Sequence, residues 1–264
     1  MKRIYTVSNY LEYKLLSSHK KGHGIHSPFL FSFITDVLGK KVDRQCISVI
    51  EERRKLMKKN GSTVLMTDYG SKGTPEGRKY ERKISAIAGR SSVPPKYGRL
   101  LYCLSGEFGG ENILELGTSS GFSAMYLAAG NDKATVRTLE GCREIADLAS
   151  ENFISCGFRN IKLITGRFSE ELDRLKASGL KPDLVFVDGD HRKERVAEYF
   201  ETLYSMSHDR TVIVFDDIHS TWEMGEAWRC IASDSRVTLA VDLFRMGIVF
   251  FRRGLTPASV VIRY

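Results

Sequence analysis

From residue 112 to residue 251 short apolar runs alternate with stretches in which apolar residues return at helical spacing. Ile113, Leu114 and Leu116 form a run that is broken at Gly117 and Gly121, after which Phe122, Met125, Tyr126 and Ala129 recur every three or four residues. The pattern predicts strand, tight turn, helix. It then repeats. Residues 134–139 predict a second strand, and residues 145–156 a helix with Ala146, Ala149 and Phe153 on one face. Residues 161–164 predict a third strand, followed by a helix ending near Ser178 and Gly179. Residues 183–187 and 211–215 predict a fourth and a fifth strand, the latter followed by a helix holding Met224, Ala227, Trp228 and Ile231. Such alternation predicts an α/β fold built on a doubly wound sheet. Residues 236–241 and 247–251 predict two further strands. Only about five residues separate them, too few for a helical crossover, so they should pair antiparallel.

Upstream of Glu111 the chain reads mostly as helix and loop. A short amphipathic helix is predicted over residues 4–18 and a breaker-rich loop over residues 20–28. His23 and His26 in that loop lack nearby Cys or carboxylate partners, which makes them a weak metal site. Ser27 is placed to cap a helix over residues 29–38, with Pro28 at its start. A charged helix is expected over residues 46–59 and a glycine-rich loop over residues 68–75. Pro94 and Pro95 then break the chain ahead of a helix over residues 96–106. The expected division is a helical extension, residues 1–105, and an α/β domain, residues 106–264.

The turn at Gly117 to Gly121 carries the first chemistry. It brings the N-terminus of a helix, with its unpaired N–H groups, beside the carboxyl end of a strand, where open α/β sheets bind ligands. The dinucleotide fingerprint Gly-x-Gly-x-x-Gly needs a middle glycine for the pyrophosphate. Here Ser119 stands between Gly117 and Gly121, so a pyrophosphate is disfavoured. The second strand ends in Glu140, suited to accept hydrogen bonds from two ribose hydroxyls, and Glu115 suits a ligand carrying an ammonium group. A nucleoside fits at Glu140, and a dinucleotide is not required. The same five residues also satisfy Gly-x-Ser-x-Gly, the nucleophile elbow of α/β-hydrolases. In that alternative Ser119 is the nucleophile, with Asp190 or Asp217 and His191 or His219 completing a triad. A binding module that holds the nucleoside without turnover is the other alternative.

In Glu115, Gly117, Gly121 and Glu140 the chain resembles the class I S-adenosylmethionine-dependent methyltransferases, whose first motif is Glu-x-Gly-x-x-x-Gly and whose second strand ends in an acid. The resemblance implies a Rossmann-like seven-stranded sheet with its last strand reversed, capped by N-terminal helices that help to choose the acceptor. It implies S-adenosylmethionine as cofactor, held by Glu115, Gly117, Thr118, Ser119, Gly121, Phe122, Glu140 and Gly141. Gly166, Arg167 and Phe168, after the third strand, would lie against the adenine.

Two acidic clusters follow the fourth and fifth strands: Asp188, Asp190 and His191, then Asp216, Asp217 and His219. Asp190, Asp216 and Asp217 each also suit a helix N-cap. Gathered in one crevice, four carboxylates repel one another unless something positive compensates, and an oxygen-ligated Mg²⁺ would do so. The arrangement is similar to that of the metal-dependent O-methyltransferases of the catechol and caffeoyl type. These take one metal ligand from an Asp after strand four and two from an Asp-Asn pair after strand five. The resemblance implies Asp188, Asp216 and Asp217 as ligands of Mg²⁺ or another divalent ion, the last being Asp where Asn is usual. His191 is the candidate general base, beside Asp188.

Charge modifies this picture. Over residues 1–105 Lys and Arg outnumber Asp and Glu by 21 to 8, whereas over residues 106–264 they are outnumbered 19 to 24, within a net charge of +8. The basic excess reads either as a solvated helical face or as a surface for an anionic small-molecule acceptor, an anionic membrane or nucleic acid. The basic clusters hold few aromatics for base stacking, which puts nucleic acid last among partners. Five scattered cysteines without a Cys-x-x-Cys pair fit reduced thiols. No apolar run reaches the ~20 residues needed to span a bilayer, and a polar N-terminus without a signal-peptide core predicts a cytoplasmic protein. Assembly into a homo-oligomer stays open.

Overall fold

The computed structural model describes residues 9–11, 13–15, 17, 27–67 and 77–264. Most of the loop expected over residues 20–28, with His23 and His26, and the glycine-rich loop over residues 68–75 lie outside the described residues. The chain forms two compact units, Lys41–Gly179 and Met1–Lys40 together with Leu180–Tyr264. The extension expected over residues 1–105 is therefore shared between them.

In the unit of residues 41–179, Asp43 caps helix α2, Arg44–Lys59, by accepting from the Gln45 N–H at 3.0 Å. Lys58 and Lys59 in its last turn oppose the partial negative charge of the helix end. Ile47, Ile50, Arg54 and Met57 form its buried stripe. The next two elements are a hairpin that the apolar pattern did not predict. Strands β1, Thr63–Thr67, and β2, Lys79–Lys83, pair antiparallel with Leu65 opposite Glu81. Four of the five β2 residues are charged, so it shows no apolar period. Only Val64 and Met66 of β1 turn inward, against Ile87, Cys142 and Ile145. Helices α3, Ile84–Arg90, and α4, Pro95–Phe108, follow. Strand β3, Asn112–Leu116, leads through the glycine turn into α5, Phe122–Gly130. Then come β4, Thr135–Glu140, α6, Arg143–Ser155, β5, Ile161–Thr165, and α7, Phe168–Ala177. The strands β3, β4 and β5 pair parallel in that order, with Glu115 opposite Thr138 and Glu140 opposite Thr165.

In the other unit residues 9–11 and 13–15 are helical. The Tyr13 hydroxyl donates to the Ile262 carbonyl at 2.8 Å and accepts from the Tyr264 N–H at 2.9 Å. Helix α1, Pro28–Ser32, begins at a Ser27 cap as expected and widens into a π-helical stretch, Phe33–Leu38. Phe29 and Phe33 both set their edges on the Phe250 ring, at centroid distances of 5.2 and 5.4 Å. Strand β6, Leu184–Val187, helix α8, Lys193–Met206, strand β7, Val212–Phe215, and helix α9, Trp222–Ala232, precede β8, Leu239–Asp242, and β9, Gly247–Phe250. All residues of β6, β7, β8 and β9 are buried, which is why these strands read as unbroken apolar runs. The pairing order is β6, β7, β9, β8 and β10, with β9 antiparallel to both neighbours. The reversed strand is thus present. Strand β10, Ala258–Val261, was not expected; it pairs parallel to β8, and among the described residues the two units hold, besides the β1–β2 hairpin, eight strands where seven were expected. Its short, half-exposed sequence carries no strong pattern. Among the described residues no helix is long and apolar enough to cross a membrane.

Candidate active site

The glycine turn is held by backbone before any ligand is considered. The Gly117 and Thr118 N–H groups both donate to the Leu139 carbonyl, at 3.0 and 3.1 Å, and the Gly121 N–H donates to the Thr118 carbonyl at 2.8 Å. Gly117, Ser119 and Gly121 have φ of 102°, 49° and 81°. Glycine adopts this left-handed region at little cost. At Gly121 a Cβ would also lie 2.4 Å from the Phe153 ring.

Glu140, at the end of β4, is gripped by the same turn. The Ser119 N–H donates to its Oε2 at 2.9 Å and the Cys142 N–H to its Oε1 at 3.0 Å. Burial raises its pKa, and these backbone donors together with Gly141 oppose the rise. Beneath it lies a buried chain of hydroxyls. Thr138 donates to Glu115 Oε2, so the Thr118 hydroxyl, 2.5 Å from that of Thr138, must be the donor in its own bond. Burial lifts Glu115 to about 7, against the Ser123 and Thr138 hydroxyls. Its Oε1 is buried without a hydrogen-bond partner.

The remaining residues expected around a nucleoside are differently placed. Phe122 is 1% exposed and lies under the Arg54 guanidinium, 4.2 Å from its ring centre, which makes it a core residue. Gly141 is half-buried beside Glu140. The Gly166 N–H donates to the Glu140 carbonyl at 2.9 Å. Arg167 is exposed at the N-cap of α7, and Phe168 is half-buried at the first position of that helix.

The second group of site residues lies in the other unit, after β6 and β7. Neither acid cluster serves as a helix cap: Arg192 stands at the N-cap of α8, and the Thr221 hydroxyl caps α9. Asp190, with φ of 50°, is held by both Nε and Nη2 of Arg192 at 2.5 Å. The exposed His191 places Nε2 3.7 Å from Asp188 Oδ1, beyond hydrogen-bond length. Asp216 is 1% exposed and accepts from Arg245 Nε at 2.9 Å and Nη2 at 2.6 Å; Asp217 Oδ1 lies 3.3 Å from the same Nη2. Burial, then Asp188 and Asp217, push the Asp216 pKa well up, while Arg245 opposes them. Burial alone would lower the Arg245 pKa, but Asp216 and Asp217 more than offset it.

Arg245 and Asp242 were not foreseen. Asp242 is the last residue of β8 and Arg245 lies in the short connection to β9, and the pattern reads both only as part of a link. Asp242 accepts from Trp228 Nε1 at 3.1 Å and from the Phe244 N–H at 2.7 Å, and it pairs with His219 Nε2 at 2.7 Å. For the hydrolase alternative Ser119 has an elbow-like left-handed backbone. The acids expected in its relay are engaged elsewhere, however: Asp190 on Arg192 and Asp217 on Arg245.

Residues 114–218 match the model of a methyltransferase domain family. A "Probable O-methyltransferase" of Mycobacterium tuberculosis is 35% identical over 184 residues, 68% of this chain and 77% of that protein. The chain belongs to the S-adenosylmethionine-dependent O-methyltransferase family. A catechol O-methyltransferase of Niastella koreensis is 33% identical over 130 residues, 48% of this chain, and the chain spans 58% of that protein's length. The structure of an O-methyltransferase from Bacillus cereus in complex with SAH superposes at a TM-score of 0.56 and 19% identity, covering 90% of this chain and 99% of that one. The O-methyltransferase TomG of Streptomyces achromogenes, in complex with SAM, superposes at 0.55 and 19%, covering 91% and 99%. The Rossmann-like methyltransferase fold follows.

The turn of this family member fits an S-adenosyl group. Each Glu140 oxygen has accepted one N–H and retains a lone pair for a ribose hydroxyl, and the buried Glu115 Oε1 calls for a donor. The expected metal set does not fit a divalent ion. Both Asp216 oxygens and one of Asp217 face a guanidinium already, so the positive charge these carboxylates require is built into the chain. Among the described residues no three His, Cys, Asp or Glu side chains are grouped to hold a metal ion.

Proposed function

We propose that this O-methyltransferase family member transfers a methyl group from S-adenosylmethionine to a hydroxyl of a small molecule. The observation that carries the reading is Glu140, fixed by the N–H groups of Ser119 and Cys142 with acceptor capacity left on both oxygens. S-adenosylmethionine supplies an electrophilic methyl group on a sulfonium when bound. Glu140 then orients the ribose and Glu115 the ammonium of the amino-acid tail, with Gly117, Thr118, Ser119, Gly121 and Gly141 lining the turn. Gly166, Arg167 and Phe168 are assigned to the adenine side. Phe122 shapes the turn from within the core.

An alcohol or phenol is mostly protonated at neutral pH, and its oxygen becomes a good nucleophile only as the proton leaves. His191 is the assigned base. Its exposed ring takes the proton, and Asp188 at 3.7 Å stabilises the imidazolium that results. Residues 1–105, with their basic excess, are assigned the choice of acceptor and favour an anionic one.

Calorimetric titration with S-adenosylhomocysteine, the demethylated product, tests the reading. Micromolar binding is expected, and Glu140→Ala should weaken it by at least about tenfold, the loss of a charged hydrogen-bonding group. Folded protein that binds no S-adenosylhomocysteine would overturn the assignment and bring the Ser119 hydrolase forward.

A further inference from the structure

Three acids of one unit, Asp188, Asp216 and Asp217, are gathered at the ends of β6 and β7, and the chain itself supplies their cation. We propose that Arg245 takes the place of the divalent ion that such a triad would otherwise bind, making this a metal-independent acid centre. The inference rests on the O-methyltransferase reading only for its consequence for turnover, since the ion exclusion is a property of the centre itself.

Several observations carry it. Arg245 meets Asp216 with two parallel N–H bonds, Nε to Oδ1 at 2.9 Å and Nη2 to Oδ2 at 2.6 Å, so a full positive charge is held against both carboxylate oxygens. Nη2 also lies 3.3 Å from Asp217 Oδ1. A divalent ion of the Mg²⁺ type needs carboxylate oxygens at about 2.0–2.1 Å in octahedral array. Here it would have to share those oxygens with a fixed positive charge. The guanidinium is not a mobile surface group that could swing aside freely. The turn carrying it is closed by the Leu243 N–H to the Met246 carbonyl at 2.9 Å and by the Arg245 N–H to the Leu243 carbonyl at 2.9 Å. Phe244 takes a left-handed φ of 69° there, with its N–H on Asp242. The Arg245 carbonyl accepts from the Ile218 N–H at 3.1 Å, so the segment that follows Asp217 is tied to the same residue. Asp217 is itself left-handed, at φ 55°. Two adjoining turns thus hold acid and base face to face.

Arg245 is a positioning residue in this assignment. It fixes Asp216 and Asp217 and supplies the compensating charge, so turnover should be indifferent to chelators. Paramagnetic resonance of Mn²⁺ titrated into the full-length protein reads the exclusion directly. Wild type should take up no stoichiometric Mn²⁺ below about 1 mM. Arg245→Ala should bind Mn²⁺ at least about tenfold more tightly, and the gain should vanish when Asp216→Asn is added. Arg245→Lys, which keeps the charge, should stay as weak as wild type. Micromolar stoichiometric Mn²⁺ on wild type would overturn the proposal whatever the variants do, as would equal Mn²⁺ affinity in Arg245→Ala and wild type. If Arg245→Ala does not fold, the wild-type and Arg245→Lys titrations decide. S-adenosylhomocysteine titrated into the same samples separates the two readings: its failure to bind counts against methyl transfer, while Mn²⁺ uptake counts against Arg245.

Discussion

A carboxyl group whose titration burial moves upward, toward neutral pH, belongs to the strand that leads into the glycine turn. Glu115 is lifted to about 7 by burial, so its neutral form is preferred in the folded chain. Its stability contribution therefore falls as pH rises from the unfolded value of 4.5 through 7, by about 3 kcal/mol in total. Glu115→Gln should accordingly unfold at a higher temperature than wild type at pH 8 and at a similar one near pH 4.5, while binding S-adenosylhomocysteine more weakly. Equal melting temperatures at both pH values would mean that Glu115 is not held neutral by the fold. Glu115 was legible because strand and turn fix its spacing from Gly117 and Gly121, and Glu140 because the second strand ends on it. Arg245 was not. A pairing between residue 216 and residue 245 depends on how β7 and β9 adjoin, and no local pattern encodes that. The positive charge that the acid clusters call for is met beside Asp216 and Asp217 by an arginine distant in sequence.

At the scale of elements, helices and buried strands followed their apolar periods closely, since each buries a continuous face. The hairpin of β1 and β2 and the edge strand β10 escaped because little of them is buried, and exposed strands need no pattern. The widening of α1 into a π-helical stretch was equally invisible, being a matter of backbone hydrogen bonding. Its role can be measured. Phe33 is 2% exposed and meets Phe250 edge-on, so Phe33→Ala should cost about 3–5 kcal/mol by urea unfolding. A loss under about 1 kcal/mol would show that the site collapses without penalty and that this stretch contributes little to holding β9.

Charge belongs to the whole molecule. The excess of 21 basic over 8 acidic residues before residue 106 describes surface chemistry, whereas the compact units follow packing, so the two divisions of the chain need not coincide. If the basic part draws in an anionic acceptor, raising salt from about 50 to 500 mM should raise the KM for that acceptor several-fold, because the Debye length shrinks to a few ångströms. The Kd of S-adenosylhomocysteine, which carries no net charge at neutral pH, should change less than about twofold. A salt-independent KM would remove the anionic acceptor from consideration.

The amide of Ser119 is already committed to Glu140 and those of Gly117 and Thr118 to Leu139. Binding therefore finds a finished loop and spends little on ordering it. In deuterium exchange these amides should be slow in the free protein and gain little further protection from the ligand. The same rigidity has a cost of another kind. Glu140 and Glu115 are assigned to groups that donor and spent product have in common, so the loop offers no means of favouring one over the other. An enzyme of this build is exposed to inhibition by its own product, and its rate in a cell would depend on how quickly that product is cleared.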